Sequence, residues 1–464
     1  MVRSLKGDRM NGKALISALS NGLKLVGINL IIVLVLLELV SLGFYASQHR
    51  QFFYSRQDGD PETADDRAPA RNRQDLRLEE DITEILHPYF GYISKPGTGF
   101  GGFEFQSVFQ ANNYGLVSRV DYPYRRENEN QFLIGIFGGS VATFYYMNEV
   151  ENPTLERSLK QLPNYADKEI VLLNFSQGGY KQPQQLLLLN YFLSQGQELD
   201  MAINIDGFNE VAIASRNRKK DINFSMPSSF QLLPLAQLAN NNLSIEQMEV
   251  MLEVLNTKEH LKQTIATQQT CGFALCYYLQ DIRYYFALQA YYHHLEEFEE
   301  KRKESGNSND SLVYIQTTAN LAEEESYEQM SDFWANASLA MASVLKQRNI
   351  PYFHILQPNQ YYPTERKFSE EEQERFAPEN NRKNPYIEGV ELGYPYLLDR
   401  STILLDNDVN FFNGTTSLDA QTDTVYIDTC CHYNQTGRNV FANYVASQIV
   451  FSLTDFNPKD NVQN

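Results

Sequence analysis

Basic residues are few relative to acidic ones in this chain of 464 residues. Lys and Arg number 39 against 58 Asp and Glu, which gives a formal net charge of −19 at pH 7. Nucleic-acid binding relies on a basic surface that neutralises phosphates. The one short basic run, between Arg216 and Lys220, is too small to supply such a surface. We therefore expect no nucleic-acid partner.

Cysteine is also scarce. The four cysteines form two close pairs, Cys271 with Cys276 and Cys430 with Cys431. Their spacing is not the paired C-x-x-C of a zinc site and no histidine cluster accompanies them, so we expect no metal and no cofactor. Outside the cytoplasm the cysteines are able to form disulfides, including one between the two pairs that would clamp the segment around His432. Two buried free thiols are the alternative.

Long apolar runs are absent except for one near the N-terminus, Val26 to Tyr45. About 20 apolar helical residues cross a bilayer of about 30 Å. Five basic residues and one acidic residue precede this run, so the positive-inside rule predicts a cytoplasmic segment 1–25, a span at 26–45 and an extracytoplasmic remainder, periplasmic or equivalent. A cleaved signal peptide is the competing interpretation, but the long basic region and long apolar run favour a retained anchor.

The residues around the span suggest a tether. Residues 46–85 are polar and rich in charge, which predicts a flexible stalk, and 456–464 form a tail. Glu38 lies inside the apolar run, where a carboxylate costs about 2 to 3 kcal/mol on insertion scales. It marks either a helix partner or a tolerated position near one end of the span.

Four short segments in the rest of the chain carry residue types that suit nucleophilic catalysis. They are GIFGGS ending at Ser140, NFSQGGY ending at Tyr180, NIDGFNE ending at Glu210, and DTCCHYNQTG from Asp428 to Gly437. The first three follow apolar runs that predict buried strands. In open α/β sheets, ligands bind where such strands end. The segments therefore predict one site that combines a serine, glycine N–H groups, an asparagine amide and a histidine.

His432 differs from the other six histidines because an acid, Asp428, lies one helical turn before it. An aspartate hydrogen-bonded to one imidazole nitrogen fixes the tautomer and leaves the other nitrogen to accept a proton from serine. A lone histidine is more often structural than catalytic, and the other six, including His354 inside a strand, have no context that connects them to a site.

In these four segments the sequence resembles the SGNH or GDSL-type hydrolases, over roughly residues 86–455. The resemblance implies a three-layer, flavodoxin-like α/β fold with a mostly parallel sheet, interrupted here by a helical insertion at about 212–325. It also implies site roles: Ser140 as nucleophile and backbone donor, Gly179 as the second backbone donor, Asn209 as the side-chain donor, His432 as base and Asp428 as its orienting acid. Gly178 replaces Gly179 if the glycine register is shifted by one.

Two features depart from the family pattern. Gly-Gly-Ser replaces the usual Gly-Asp-Ser, a variant that many extracytoplasmic relatives share. Three residues separate Asp428 from His432, where the family commonly has two, and Thr429 at the usual position cannot supply a negative charge. Either the backbone accommodates the extra residue or another group orients His432. We predict Asp428, because both spacings keep the two side chains on one face of a helical turn.

The insertion has helical spacing at 244–255, 261–270 and 277–300. Its apolar stripe at Leu279, Ile282, Tyr285 and Phe286 predicts a buried face, and a lid whose tyrosines line an acceptor groove is the alternative. A helix at 326–347 and a strand at 351–356 should return the chain to the sheet. Gln357, Asn359 and Gln360 follow that strand and are candidates for substrate contact.

The predicted function is that of a membrane-anchored, extracytoplasmic serine esterase or O-acyltransferase. The family resemblance favours an acyl ester, preferably acetyl, of a polysaccharide or cell-envelope glycan, with a lipid ester as the other substrate class. The alternative is a catalytically silent protein of the same fold that binds glycan or an assembly partner. No oligomeric state is indicated.

Overall fold

The computed structural model describes residues 12–49, 52–55, 83–100, 105, 107–239, 245–304, 314–318, 321–381 and 384–455. The chain forms two compact units, one joining Met1–Glu79 to Leu243–Ser308 and the other joining Glu80–Asn242 to Asn309–Asn464. Much of the predicted cytoplasmic segment, most of the predicted stalk and the whole predicted tail lie outside the described residues.

Within the described residues the longer helices are α1 (Gly12–His49), α2 (Ser140–Glu151), α3 (Thr154–Leu159), α4 (Gln184–Ser194), α5 (Ala214–Lys219), α6 (Ser229–Ala239), α7 (Ile245–Gln269), α8 (Ala274–Glu304), α9 (Glu323–Lys346), α10 (Glu370–Phe376), α11 (Ile387–Asp406) and α12 (Gln435–Asp455). The strands are β1 (Glu84–His87), β2 (Gly91–Ser94), β3 (Gly99–Phe100), β4 (Phe109–Gln110), β5 (Gln131–Gly138), β6 (Glu169–Ser176), β7 (Met201–Asp206), β8 (Tyr352–Leu356) and β9 (Asn410–Asn413).

A five-stranded parallel sheet forms the centre of the second unit, in the order β6-β5-β7-β8-β9. The chain forms β5 first and adds β6 on one side of it, at one edge of the sheet. It then adds β7, β8 and β9 in turn on the other side of β5, toward the opposite edge. This reversal between β5 and β7 is the switch point at which doubly wound sheets bind ligands. The fold is therefore mixed α/β, as the sequence predicts.

The central strands are buried on both faces. All residues of β7 and β8 are buried, which explains their continuous apolar runs, because helices cover both sides of a parallel sheet. α2, α3 and α12 pack together, with α2 against β5, β6 and β7, while α4, α9 and α11 pack around β6, β8 and β9. Two antiparallel pairs, β1 with β2 and β3 with β4, precede the sheet.

The first unit contains α1 and a hairpin formed by α7 and α8. Residues Lys24–Ser47 of α1 are long and apolar enough to cross a membrane, and the predicted span lies inside this stretch. A signal sequence near an N-terminus meets the same criteria.

The hairpin differs from its prediction in two respects. α7 is one continuous helix where the spacing predicted two, and the stripe predicted to be buried is exposed, with Leu279, Ile282, Tyr285 and Phe286 between 53% and 67% accessible. The small core of the hairpin uses Leu261, Ala287 and Leu288 instead, and Tyr284, Tyr291 and Tyr292 pack against it. Helical periodicity correctly identified an apolar face but not what covers it.

Candidate active site

Ser140 is the first residue of α2, directly after β5, and its side chain is partly exposed. The tight connection depends on the two preceding glycines. Gly138 has φ +140°, and a Cβ at this position would lie 2.0 Å from the Ile205 carbonyl oxygen. A Cβ at Gly139 would lie 2.2 Å from Asn209 Nδ2. The glycines therefore allow the serine to sit at the helix N-terminus, beside the end of β7.

His432 connects Ser140 to Asp428. Its Nε2 lies 2.7 Å from Ser140 Oγ, and its Nδ1 is hydrogen-bonded to Asp428 Oδ2. Although 291 residues separate the serine and the histidine in sequence, the structure brings them together at the carboxyl edge of the sheet. Phe144 on α2 packs against the imidazole, with 4.8 Å between ring centroids.

The extra residue between Asp428 and His432 is accommodated by a tightly closed loop, residues 427–432, which we call the base loop. The second carboxylate oxygen, Asp428 Oδ1, accepts from the backbone N–H groups of Cys430 at 2.8 Å, Cys431 at 3.0 Å and His432 at 3.3 Å. The Ile427 N–H donates to the His432 carbonyl at 3.1 Å and closes the loop. One carboxylate thus organises the loop and holds the imidazole.

Two residues considered for substrate contact bind the base loop. Asn359 Nδ2 donates to the Cys430 carbonyl at 2.9 Å, and Gln360 Nε2 donates to the Asp428 carbonyl at 2.8 Å. The Tyr361 hydroxyl adds a third bond, to the Thr429 carbonyl at 3.0 Å. Gln357, the other candidate, is buried. The segment after β8 therefore supports the loop that carries the histidine.

Gly178 and Gly179 form a β-turn closed by a hydrogen bond of 3.1 Å from the Tyr180 N–H to the Gln177 carbonyl. Gly179 has φ +76°, which the third position of a type II turn requires. A Cβ there would also lie 2.6 Å from the Tyr92 hydroxyl oxygen. Asn209 Nδ2 donates to the Tyr180 carbonyl at 2.7 Å, so the turn and the asparagine are joined beside Ser140.

Glu210 connects the segment that carries Gly178 and Gly179 to the segment that carries Asn209. The sequence did not reveal this role. Its Oε2 accepts from the Gly207 N–H at 2.8 Å, and its Oε1 accepts from the Gln182 N–H at 3.1 Å and from Gln185 Nε2 at 3.0 Å. Burial and the nearby charge of Asp206 raise the pKa of Glu210 to about 8. In the sequence, the position of Glu210 directly after Asn209 was the one feature that pointed to a role at this site.

The electrostatics favour an ion pair between base and acid. Burial alone would lower the pKa of His432, but the charges of Asp428 and Cys431, together with hydrogen bonds to both, raise that pKa well above the ordinary value. Burial opposes ionisation of Asp428, whereas the charge of His432 and the backbone N–H groups lower its pKa below the ordinary value. Asp428 therefore stabilises an imidazolium of the kind that general-base catalysis forms.

A second Ser-His-Asp chain lies inside the core. Ser338 Oγ is 2.8 Å from His354 Nδ1, and His354 Nε2 is 2.7 Å from Asp206 Oδ1. The Trp334 Nε1–H also donates to Asp206. All three members are buried. A substrate carbonyl cannot reach a hydroxyl in this position, which agrees with a structural role for His354.

The cysteine pairs behave differently from one another. Cys271 and Cys276 form a disulfide, whereas Cys430 and Cys431 are free thiols with their sulfur atoms 2.9 Å apart. The bridge between pairs considered above is therefore not formed. Cys430, Cys431 and His432 each place a potential ligand atom within 4.8 Å of the others. A thiophilic ion bound there would compete with Ser140 and Asp428 for the imidazole.

Comparison with known proteins adds little. No family model matches the sequence, and no curated protein matches it. Among solved structures, it is similar to the 2.00 Å crystal structure of a "putative acylhydrolase" from Bacteroides fragilis, with 10% identity, a TM-score of 0.31, and coverage of 71% of this chain and 91% of that chain. A TM-score this low does not identify a shared fold, so the function proposed below rests on the site geometry.

Proposed function

We propose that this protein is a membrane-anchored serine esterase or O-acyltransferase of the SGNH/GDSL type, with its site outside the cytoplasm. The observation that carries the proposal is the hydrogen-bonded chain from Ser140 through His432 to Asp428, in which the serine is partly exposed. The motif order and the α/β switch point at which the serine lies also support it.

In the proposed reaction, Ser140 Oγ attacks the ester carbonyl while its proton passes to His432 Nε2. Asp428, held at Nδ1, stabilises the resulting imidazolium. When the tetrahedral intermediate collapses, the ester C–O bond breaks and the imidazolium returns the proton to the departing alkoxide. Water or a sugar hydroxyl then attacks the acyl-serine by the same steps, which releases the acid or a new ester.

Three donors are proposed to hold the oxyanion: the N–H groups of Ser140 and Gly179, and the side-chain amide of Asn209. One Asn209 N–H is already used by the Tyr180 carbonyl, which fixes the amide in place beside Gly139. The other is the proposed donor. Donors that are already oriented need no reorganisation as charge develops, which is what makes them effective.

The proposed substrate class is an acyl ester, preferably acetyl, of a polysaccharide or cell-envelope glycan. An anchored enzyme outside the cytoplasm is held next to such polymers, and small acyl esters suit an attack from a partly exposed serine. Lipid esters are the second class. Hydrolysis and transfer use the same residues and differ in whether water or a sugar hydroxyl reaches the acyl-serine.

The test compares turnover of 4-nitrophenyl acetate and of acetylated polysaccharide by the full-length protein and two serine variants. We expect Ser140→Ala to lose at least about 10³-fold in kcat, as nucleophile removal does in serine hydrolases. Ser338→Ala, in the buried chain, serves as the matched control and should retain turnover. A folded wild-type protein that turns over neither ester class but binds acetylated glycan would instead be a silent glycan-binding protein.

A further inference from the structure

We propose that the α7–α8 hairpin is a second membrane-contacting element, with the exposed apolar stripe of α8 seated in the extracytoplasmic leaflet beside α1. This inference rests on the membrane anchoring included in the proposed function. It adds an interaction surface, for which the partner is the phospholipid bilayer itself.

The first observation is the role of Glu38 within the apolar stretch of α1. Its Oε1 accepts from the Ala274 N–H at 2.8 Å and from the Tyr54 hydroxyl at 2.9 Å, and its Oε2 accepts from the Leu275 N–H at 2.8 Å. The carboxylate therefore caps the positive N-terminal end of α8. This offsets the cost of placing an acid in an apolar span and fixes the tip of the hairpin to α1.

The second observation is the direction in which α8 leaves that point. Beyond Glu38, Tyr45 contacts Tyr277 and Phe44 contacts Tyr278, with ring centroids 5.4 and 6.3 Å apart. α1 and α8 therefore run in the same direction, away from the cytoplasmic end of α1. Glu38 lies nine residues before Ser47, where the apolar stretch ends, or about 14 Å along the helix axis. The first turns of α8 thus lie at the depth of the leaflet.

The third observation is the surface that α8 presents at that depth. Leu279, Ile282 and Phe286 are spaced by three and four residues, so they share one face, and all are more than half exposed. Leu279 and Ile282 lie about 8 and 12 Å from the start of α8, within those 14 Å, and Phe286 lies about 18 Å from it, at the membrane boundary. The apolar side chains of α1 from Leu25 to Val40 are exposed in the same unit. Tyr285 adds an aromatic ring of the kind enriched at membrane interfaces.

The fourth observation concerns polar groups near the tip. The hydroxyls of Thr264, Thr267 and Thr270 donate to backbone carbonyls of their own helix or turn at 2.7 to 3.0 Å. Hydroxyls bonded in this way are tolerated in lipid. The Cys271–Cys276 disulfide closes the turn, and such bonds persist on the extracytoplasmic side of a membrane.

The experiment uses full-length protein in vesicles of phosphatidylethanolamine and phosphatidylglycerol, with a photo-crosslinking amino acid placed at one position at a time. The positions are Ile282 on the stripe, Leu30 on α1 as the positive control, and Leu252 as the matched negative control. Leu252 is an exposed leucine of α7, and it lies about 26 Å from the tip end of that helix. Adducts are identified by mass spectrometry after irradiation.

We expect phospholipid adducts at Ile282 and Leu30 and none at Leu252. Adducts at Leu30 without adducts at Ile282 would overturn this inference and leave the anchor intact, whereas their absence from both positions would overturn the anchor as well. Crosslinked dimers at Ile282 would show that a second copy covers the stripe, and a crosslink to residues 80–242 or 309–464 would show that the other unit does. Either result contradicts the proposal. Esterase activity, measured separately in detergent, is independent of all these outcomes.

Discussion

His432 is the residue on which the pH dependence of the proposed reaction should depend. The charges of Asp428 and Cys431 raise its pKa well above the ordinary value of about 6.5, despite burial. A general base must be unprotonated, so kcat/KM should fall as the pH decreases through this raised pKa. We predict an acid limb above pH 6.5 in the pH profile for 4-nitrophenyl acetate. A limb at or below 6.5 would contradict the ion pair.

Replacing Asp428 tests the same ion pair between Asp428 and His432. Asp428→Asn removes the larger of the two charges that raise the pKa of His432 and allows the wrong tautomer. We therefore expect kcat to fall by about 10⁴-fold, with the remaining activity having an acid limb at lower pH. Asp423→Asn, an exposed aspartate nearby in sequence, is the matched control and should change neither quantity. An unchanged profile in Asp428→Asn would show that another group orients His432.

Asn209 allows a direct test of the proposed oxyanion site. Asn209→Ala removes one donor, and we expect kcat to fall by about 10²- to 10³-fold with little change in KM. The comparison variant is Asn190→Ala, which alters an exposed asparagine whose side chain donates to the Leu186 carbonyl of its own helix, and it should behave as wild type. A loss in Asn209→Ala confined to KM would mean that the amide binds substrate but does not stabilise the transition state.

At this scale, the sequence predicted those residues whose chemistry limits the choice of amino acid. Ser140, Asn209 and His432 could be proposed as site residues because few side chains are able to attack, donate or accept protons, and their catalytic roles remain predictions. The role of Asp428 Oδ1 in closing the base loop was not predictable, because it depends on backbone N–H groups that any residue supplies. Glu210 was missed for the same reason.

At the scale of elements, Glu210 joins the turn after β7 to the segment before α4. Glu210→Ala would leave three buried donors without their acceptor, at about 1 to 3 kcal/mol each. We expect the free energy of unfolding to fall by about 3 kcal/mol or more in urea titrations. We also expect a lower kcat below the unfolding transition, because both proposed donor segments lose their connection.

The control for this prediction is Glu198→Ala, which alters a glutamate whose side chain is about half exposed. Exposed ion pairs contribute little, so its unfolding free energy and kcat should stay close to wild type. Normal stability in Glu210→Ala would show that water or neighbouring groups replace the carboxylate.

Strands with continuous apolar runs were predicted close to their observed positions, because burial on both faces leaves a clear signal. This holds for β5, β7 and β8 and for the second half of β6, whose first half is only partly buried. β9 was not predicted, since an edge strand of four residues with two phenylalanines has too short a pattern. The α8 stripe was wrongly assigned to a core, because helical periodicity reveals an apolar face but not whether protein covers it, and the hairpin core uses Leu261, Ala287 and Leu288 instead.

For the whole molecule, the anchor predicts a definite topology. The full-length protein should remain with membranes after alkaline carbonate extraction. A protease added to intact spheroplasts should remove an epitope attached at the C-terminus, because the charge bias of residues 1–25 predicts that this end lies outside the cytoplasm. Protection of the epitope would show the opposite orientation, and release of the protein by carbonate would indicate a cleaved signal sequence.

The central claim is that Ser140 is an activated nucleophile, and covalent labelling tests it most directly. The full-length protein is treated with a fluorophosphonate, and the modified peptide is identified by mass spectrometry. We expect a single adduct on Ser140, present in Ser338→Ala, strongly reduced in Asp428→Asn and absent from Ser140→Ala. An adduct on another residue, or a folded protein that remains unlabelled, would contradict the account.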